Sequence, residues 1–154
     1  MRIVVYTLGC KVNQYESESM MSMLERMGHT VFSHLEVADV YIINTCAVTN
    51  EAEKKSRQTI AKCKALNPNA RIMICGCASE KNANQFENID GVTFVKGVAN
   101  KQEMVNSLNE NGIKIDKNPL EYDDTYVAMP TKTRAYIKIQ DGCNNFCSYC
   151  IIPY

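Results

Sequence analysis

The sequence carries no excess charge of either sign. Lys and Arg together number 17, and Asp and Glu together number 17, so the formal net charge is zero. Proteins that bind nucleic acid through a broad basic surface have an excess of Lys and Arg. The balance excludes a surface of that kind here, and any contact with RNA must be local or lie outside this chain.

Long apolar runs are absent as well. The opening stretch MRIVVYTLGC is too short for the apolar core of a signal peptide and far too short to span a membrane. Its TLGC resembles a lipoprotein cleavage box, but it lies too near the start, with one Arg before it. We therefore expect a soluble cytoplasmic protein, in whose reducing environment the eight cysteines are metal ligands or catalysts rather than disulfides.

The sequence also lacks internal repeats, low-complexity tracts and a glycine-rich loop. Its 154 residues, 45% of them hydrophobic, suffice for about one packed domain. A flavodoxin-like binding domain would carry a phosphate-binding loop after its first strand, but LGCKVNQ offers one glycine and a thiol there. A bare cofactor-binding domain of that kind is therefore disfavoured.

Short apolar, β-branched runs alternate along the chain with longer segments of helical spacing. Several of the runs are apolar throughout, as in parallel strands that are covered on both faces. The predicted strands are RIVVYTL, TVFSHL, DVYIIN, RIMIC and VTFVKG. The alternation predicts an α/β fold with a doubly wound, mainly parallel sheet of the Rossmann or flavodoxin-like kind.

Four helices are predicted between and after these strands. The first contains a stripe of Met20, Met23, Leu24 and Met27 that we interpret as core packing, and it ends at Gly28. Capping-box patterns predict helix starts at Asn13 with Glu16 and at Asn50 with Glu53. The other helices are predicted at about 50 to 66, 79 to 87 and 99 to 110.

The rhythm of strands and helices breaks near Gly112. The next segment has two prolines, an acidic patch and no sustained period, which is typical of a linker. AYIKIQDG then predicts a new strand that enters a cysteine-rich loop. We expect an α/β domain at 1–112, a linker at 113–134 and the start of a second, truncated domain at 135–154.

Three cysteines follow predicted strands of the first domain. Cys10, Cys46 and Cys77 each lie in the short loop between a strand and the next helix. Because the carboxyl ends of parallel strands share one edge of the sheet, we expect these thiols to lie together where ligands bind. The amino ends of the following helices favour anionic thiolates there. Asn13 and Asn44 lie near these cysteines in the sequence and are candidates to orient a cluster or substrate.

Two other cysteines have a structural interpretation. Cys63 shares a helix face with Ile60 and Leu66, and Cys75 continues the apolar strand run from Ile72 to Ile74. Free cysteine is among the most buried residue types and often has no chemical role. We therefore predict that Cys63 and Cys75 are packing residues.

The most specific motif is the terminal CxxxCxxC, formed by Cys143, Cys147 and Cys150. Closely spaced thiolates of this kind hold iron-sulfur clusters, and three of them leave one iron of a [4Fe-4S] unit open. Structural zinc normally takes four ligands, often from two CxxC-like pairs, which this segment does not supply by itself. An iron-sulfur cluster is therefore favoured over zinc.

These residues resemble a known family. CxxxCxxC with Tyr149 before the last cysteine resembles the cluster loop of radical S-adenosylmethionine enzymes. TLGCKVNQYESE, INTCAVTNEAEKKSRQ and ICGC are similar to the amino-terminal domain of the methylthiotransferase family, and the resemblance covers the whole chain. Within that family GCKVNQYES most resembles the branch that modifies threonylcarbamoyladenosine in tRNA. The isopentenyladenosine-tRNA branch tends to GCQMN, and the ribosomal-protein branch tends to GCPKN.

The resemblance implies two [4Fe-4S] clusters and S-adenosyl-L-methionine as cofactors. Cys143, Cys147 and Cys150 match the ligands of the radical cluster, and Tyr149 would neighbour the adenine of S-adenosylmethionine. Cys10, Cys46 and Cys77 match the ligands of a second cluster that holds the sulfur for the substrate. The implied activity is addition of a methylthio group to carbon 2 of threonylcarbamoyladenosine beside the anticodon, with tRNA, an electron donor and a sulfur donor as partners.

Two features depart from the family pattern. Relatives usually continue through a radical barrel and an RNA-binding β-barrel, so we expect this chain alone to be inactive. They also often have Gln where this sequence has Glu80. A non-enzymatic electron-transfer module is the alternative of another class, but such a module normally has fully ligated clusters, and two sets of three cysteines favour an enzyme.

Overall fold

The computed structural model describes residues 1–47, 50–98, 101–108, 136, 138–140 and 142–150. These ranges contain five strands and five helices. Their order is β1 (Arg2–Thr7), α1 (Lys11–Arg26), β2 (Thr30–Phe32), β3 (Val40–Thr45), α2 (Asn50–Leu66), β4 (Arg71–Gly76), α3 (Cys77–Lys81), α4 (Asn84–Glu87), β5 (Val92–Val95) and α5 (Lys101–Asn106). All five predicted strands are confirmed.

The strands form one sheet in the order β2-β1-β3-β4-β5, and every neighbouring pair is parallel. This is the strand order of flavodoxin-like folds, in which the winding reverses between the first and third strands. The predicted α/β fold with a doubly wound parallel sheet is therefore confirmed. The reversal opens a crevice between the carboxyl ends of β1 and β3.

Each face of the sheet has its own hydrophobic core. Ile3 and Val5 of β1 pack with Met20 and Leu24 of α1 and with α5 on one face. Val4 belongs to the opposite core, with residues of α2, α3 and α4. Successive side chains of a strand point to opposite faces, so a strand buried on both faces must be apolar throughout. The Met stripe of α1 is confirmed as core packing.

The start of α1 differs from the prediction. The residue that precedes the helix is Cys10 rather than Asn13, and no side chain there caps the helix. Asn13 lies inside the first turn, where its amide donates to carbonyl groups of two other segments, so the predicted Asn13–Glu16 capping box is wrong. At the other end, Gly28 has a φ of 83°, which confirms its predicted place just after the helix.

The predicted helix at 79 to 87 is two short helices, α3 and α4. Asn82 separates them with φ −155° and ψ 79°, far from helical values. Asparagine competes with helical hydrogen bonds through its own side chain, which makes such a break inexpensive. Helix α2 matches its prediction, although the side chains of Asn50 and Glu53 lie outside the described residues, and α5 falls within the predicted range.

The predicted linker at 113–134 lies outside the described residues. Beyond it, Tyr136 and residues 138–140 are not in a strand, and the rest of the strand predicted for AYIKIQDG lies mostly outside the described residues. No helix within the described ranges combines the length and apolar character that a membrane crossing requires.

Candidate metal centre at the carboxyl edge of the sheet

Three cysteines lie at the carboxyl ends of three adjacent strands. Cys10 follows β1 and precedes α1, Cys46 follows β3, and Cys77 is the first residue of α3 directly after β4. The register aligns these ends, because Thr7 pairs with Asn44 and Thr45 pairs with Gly76. Cys10 and Cys46 flank the crevice where the winding reverses, which is the usual ligand position in such sheets.

The loops that carry these cysteines are in contact. A methyl group at Gly9 would lie 2.6 Å from Cβ of Cys46 and 2.8 Å from its Sγ, so the backbone beside Cys10 touches Cys46. Burial raises the pKa of the Cys77 thiol, and negative charge on Cys46 and on Cys10 raises it further. The Cys77 thiol therefore lies within electrostatic range of the other two, and the role of the three as metal ligands stays a prediction.

The three thiols differ in exposure. Cys46 is only 5% exposed, Cys77 is half-buried and Cys10 is exposed. Cys10 is also the residue that precedes the 16-residue helix α1. The site is thus buried at Cys46 and open to solvent at Cys10.

Two glycines make this close packing possible, and our sequence analysis missed both. Gly9 and Gly76 have φ angles of 104° and 100°, which side chains rarely adopt. A methyl group at Gly76 would lie 2.5 Å from Oδ1 of Asn44. The signal was present in the sequence, because each glycine directly precedes a cysteine at the carboxyl end of a strand.

A buried ion pair lies near the site. Lys101 contacts Glu16, and their side chains are 5% and 8% exposed. Nζ of Lys138 lies 3.2 Å from the other carboxylate oxygen of Glu16. The positive charge of Lys101 lowers the pKa of Cys77, and the negative charge of Glu16 raises it. A single lysine at the start of a helix gives no sequence signal for such a role.

Two cysteines of the second set, Cys147 and Cys150, lie in a turn. The N–H of Cys150 donates to the carbonyl of Cys147 at 3.1 Å, which closes a four-residue turn and keeps their Cα atoms within about 7 Å. Sγ of Cys143 accepts a hydrogen bond from the N–H of Asn145 at 3.4 Å. Cys147 is exposed, Cys143 and Cys150 are half-buried, and Tyr149 is 91% exposed.

The segment that leads to this turn contacts α1. Nζ of Lys11 lies 5.1 Å from the centre of the Tyr136 ring, and Lys138 pairs with Glu16. Both contacts are made by the amino-terminal turns of α1, which begin beside Cys10. The structure thereby attaches the chain that carries the second set of cysteines to the helix that follows the first set.

The donor set fits an iron-sulfur cluster better than a single metal ion. Within the described residues, no group of three His, Cys, Asp or Glu side chains is arranged to hold one metal ion. A tetrahedral zinc site would place its sulfur ligands about 3.8 Å apart, given Zn–S bonds of about 2.3 Å. The thiolates of an iron-sulfur cluster each bind a different iron and are spaced by the cluster itself. Three thiolates without another ligand type suit that chemistry.

The remaining cysteines have no place in either set. Cys63 and Cys75 are 0% exposed and belong to the cores on opposite faces of the sheet, which confirms that they are packing residues. Burial raises the pKa of Cys63 to about 11 and that of Cys75 to about 12. Both therefore stay protonated at neutral pH.

Glu80 has a structural contact of its own. Its Oε2 accepts a hydrogen bond from the N–H of Val98 at 2.8 Å and occupies the space that a side chain at Gly97 would fill. The carboxylate therefore holds the backbone that follows β5, whose neighbour β4 leads into Cys77.

The family model described as "Uncharacterized protein family UPF0004" matches residues 2–97. Similar curated proteins include "Threonylcarbamoyladenosine tRNA methylthiotransferase MtaB" of Bacillus subtilis (strain 168), which is 37% identical over 99% of this chain and 36% of its own length. The protein of that name from Thermotoga maritima is 39% identical over 96% of this chain and 35% of its own length.

A second kind of relative has a comparable identity. The "tRNA-2-methylthio-N(6)-dimethylallyladenosine synthase" of Thermoanaerobacter sp. (strain X514) is 37% identical over 97% of this chain and 35% of its own length. The chain spans about a third of the length of these curated relatives and matches their amino-terminal region. With residues 2–97 matched by one family model and a β/α scaffold that gathers three cysteines at one edge, the chain belongs to the UPF0004 family.

Proposed function

We propose that this chain is the amino-terminal part of a radical S-adenosylmethionine tRNA methylthiotransferase. The proposed reaction adds a methylthio group to carbon 2 of threonylcarbamoyladenosine beside the anticodon. The observation that carries the proposal is the convergence of Cys10, Cys46 and Cys77 at one sheet edge, in a chain that also contains CxxxCxxC. The names of the relatives supply the substrate class.

Each set of three cysteines would hold one [4Fe-4S] cluster with one iron left open. When bound, these clusters and S-adenosyl-L-methionine supply the radical and the sulfur that replacement of an unactivated C–H bond requires. The buried Cys46 anchors the first site inside the protein, while the exposed Cys10 leaves that site accessible. The exposed ring of Tyr149 is available to lie against the adenine of the bound cofactor.

The activity would belong to the full-length protein rather than to this chain, which spans about a third of its relatives. The proposal includes an α/β domain at 1–112, a linker at 113–134 and the start of the radical domain at 135–154. It also includes an electron donor and a sulfur donor as partners. A protein that acts on tRNA works where tRNA is found, so we place it in the cytoplasm.

A second substrate is supported by a specific observation. The dimethylallyladenosine synthase from Thermoanaerobacter has the same 37% identity to this chain as the Bacillus threonylcarbamoyladenosine enzyme. Isopentenyladenosine in tRNA is therefore the alternative substrate, and a ribosomal protein is a further one that only the chemistry shared by the family suggests. An electron-transfer module is the alternative outside enzymes.

Deletion of the full-length gene tests the proposal. Nucleosides from total tRNA of the deletion strain would be measured by mass spectrometry, and we expect methylthio-threonylcarbamoyladenosine to disappear while the methylthio isopentenyl nucleoside remains. A gene carrying Cys63→Ala should restore the missing nucleoside, and one carrying Cys46→Ala should not. Loss of the isopentenyl derivative instead would transfer the proposal to the second substrate. If deletion changes neither nucleoside although the parent strain expresses the gene, tRNA methylthiolation is rejected.

A further inference from the structure

Two buried asparagines connect the three loops that carry the first set of cysteines. Asn13 lies in α1 and is 2% exposed, and Asn44 lies in β3 and is 0% exposed. Neither residue is a candidate cluster ligand, and neither side chain caps a helix. Each side chain nevertheless makes at least one hydrogen bond to a segment far away in the sequence.

The Asn13 amide joins the first loop to the second. Its Nδ2 donates to the carbonyl of Leu8 at 2.8 Å and to the carbonyl of Thr45 at 2.9 Å. Leu8 lies two residues before Cys10, and Thr45 directly precedes Cys46. Oδ1 of Asn13 accepts a weak hydrogen bond from Sγ of Cys10 at 3.7 Å. One side chain thus contacts the backbone or the thiol on both sides of the crevice.

The Asn44 amide hydrogen-bonds to the same helix and packs against the segment that carries Cys77. Its Nδ2 donates to the carbonyl of Asn13 and to Oγ of Ser17, both at 3.1 Å. Its Oδ1 lies against Gly76, which directly precedes Cys77, and has no hydrogen-bond partner within the described part of the chain. A buried acceptor without a partner costs stability, so a hydrophobic residue would serve packing alone better at this position.

The Asn13 amide also lies beside the closest contact of the site. Nδ2 of Asn13 lies 3.2 Å from the point where a methyl group at Gly9 would be, and the side chain of Cys46 lies against the same point. Opening the Asn13 contacts would therefore loosen the wall that buries Cys46. Because the bonds lie inside the protein, water does not replace them without opening the structure.

We propose that Asn13 and Asn44 are positioning residues, which hold the loops of Cys10, Cys46 and Cys77 in place before any metal is bound. The inference rests on the proposed function in one respect, because that function makes the three cysteines cluster ligands. Residues that orient metal ligands through hydrogen bonds affect loading as well as geometry. The two asparagines would therefore determine how well the site takes up its cluster.

Cysteine alkylation in the full-length protein, prepared without metal under anaerobic conditions, tests the positioning role. The labelling rate of each cysteine by iodoacetamide is measured by peptide mass spectrometry in wild type, Asn13→Ala and Asn44→Ala. We expect Cys46 to react about tenfold faster in both variants, the factor that corresponds to about 1.4 kcal/mol of lost protection. Cys63 and Cys75, both 0% exposed, report global opening in the same sample.

The matched control is Asn67→Ala. Asn67 also donates its amide to a carbonyl, that of Ala38 at 2.8 Å, but at the opposite edge of the sheet. We expect this variant to leave the labelling rate of Cys46 unchanged. The proposal is overturned if Cys46 accelerates only in parallel with Cys63 and Cys75, if it does not accelerate, or if Asn67→Ala accelerates it equally. Asn44→Ser, which removes the amide but keeps a small polar group, replaces Asn44→Ala if the latter does not fold.

Iron and sulfide analysis after anaerobic reconstitution separates this inference from the proposed function. We expect Asn13→Ala and Asn44→Ala to hold less iron at the first site than wild type and Asn67→Ala. If wild-type protein takes up no iron through Cys10, Cys46 and Cys77, the proposed function is wrong, while the alkylation result still decides whether the asparagines hold the loops. If the iron content of both variants equals that of wild type, their proposed influence on loading is wrong.

Discussion

At the scale of single residues, the absence of a side chain at Gly9 is what allows the Cys46 side chain to pack against the backbone beside Cys10. The backbone there has a φ of 104° and lies against Cys46. Two separate costs would follow from any side chain, one from the backbone conformation and one from overlap. Gly28 provides a comparison, because its φ is 83° and nothing lies within 4 Å of where a methyl group would be.

Gly9→Ala should therefore destabilise the protein more than Gly28→Ala. The positive φ alone should cost about 1–2 kcal/mol in both variants. Overlap with Cys46 should add roughly 1–3 kcal/mol for Gly9→Ala, the range for overpacking. Urea unfolding of wild type and both variants measures the difference, and equal losses in the two variants would show that Gly9 is not constrained by Cys46.

At the scale of elements, charges connect α1, α5 and the segment before the second cysteine turn. Glu16 of α1 contacts Lys101 of α5, 85 residues away, and Lys138 beyond the undescribed 109–135 range. The first pair is buried, and Lys138 is 22% exposed. Removing one partner of a buried pair leaves an uncompensated charge, whereas exposed pairs contribute little.

A series of three lysine variants should reveal this gradient in the free energy of unfolding. Lys101→Met should cost about 3 kcal/mol, the lower end of the range for a broken buried pair because Lys138 remains beside Glu16. Lys138→Met should cost about 1 kcal/mol. Lys64→Met should cost least, since its partner Asp90 is 96% exposed. The measurement is urea unfolding at low salt, and a loss for Lys64→Met as large as that for Lys101→Met would contradict the assignment of a buried pair.

The same series tests whether α1 holds the segment that leads to the turn of Cys147 and Cys150. Lys138→Met should also increase hydrogen exchange of residues 142–150, because the segment loses its contact with Glu16. Lys64→Met should leave that exchange unchanged. If exchange in that range is the same in wild type and Lys138→Met, the contact does not hold the turn of Cys147 and Cys150.

At the scale of the whole molecule, eight cysteines divide into three groups by position. Three lie at the sheet edge, three lie in the terminal motif, and Cys63 and Cys75 lie in the two cores. The division explains how two clusters could occupy one protein without competing for ligands. Cys75 and Cys77 make the sharpest comparison, since they are two residues apart and belong to different groups.

The full-length protein, reconstituted anaerobically, should hold two [4Fe-4S] clusters. Replacing Cys10, Cys46 and Cys77 together should leave one, because the ligands of the first site are gone. Cys75→Ala should retain both, with some loss of stability from the core. Iron and sulfide analysis with electron paramagnetic resonance after reduction measures the content, and two clusters in the triple variant would disprove the assignment of these ligands.

The sequence alone determined that the sheet is parallel and in which order strands and helices follow along the chain. It also determined the edge of the sheet where Cys10, Cys46 and Cys77 lie. Apolar runs and helical periods are local properties, and the parallel α/β arrangement then places the ends of neighbouring strands side by side. The burial of Cys63 and Cys75 followed from the same periodicity.

The sequence named Asn13 and Asn44 as candidates beside the cysteines, but only the tertiary structure decided which contacts support that edge. Asn13 looked like half of a capping box, yet its amide bonds to Thr45, 32 residues away. Glu16 looked like the other half, yet it pairs with Lys101. The close approach of Gly9 to Cys46 is likewise a contact between segments far apart in the sequence. Each depends on how two segments far apart in the chain meet, and a hydrogen bond or ion pair between them is decided by the packed geometry rather than by local pattern.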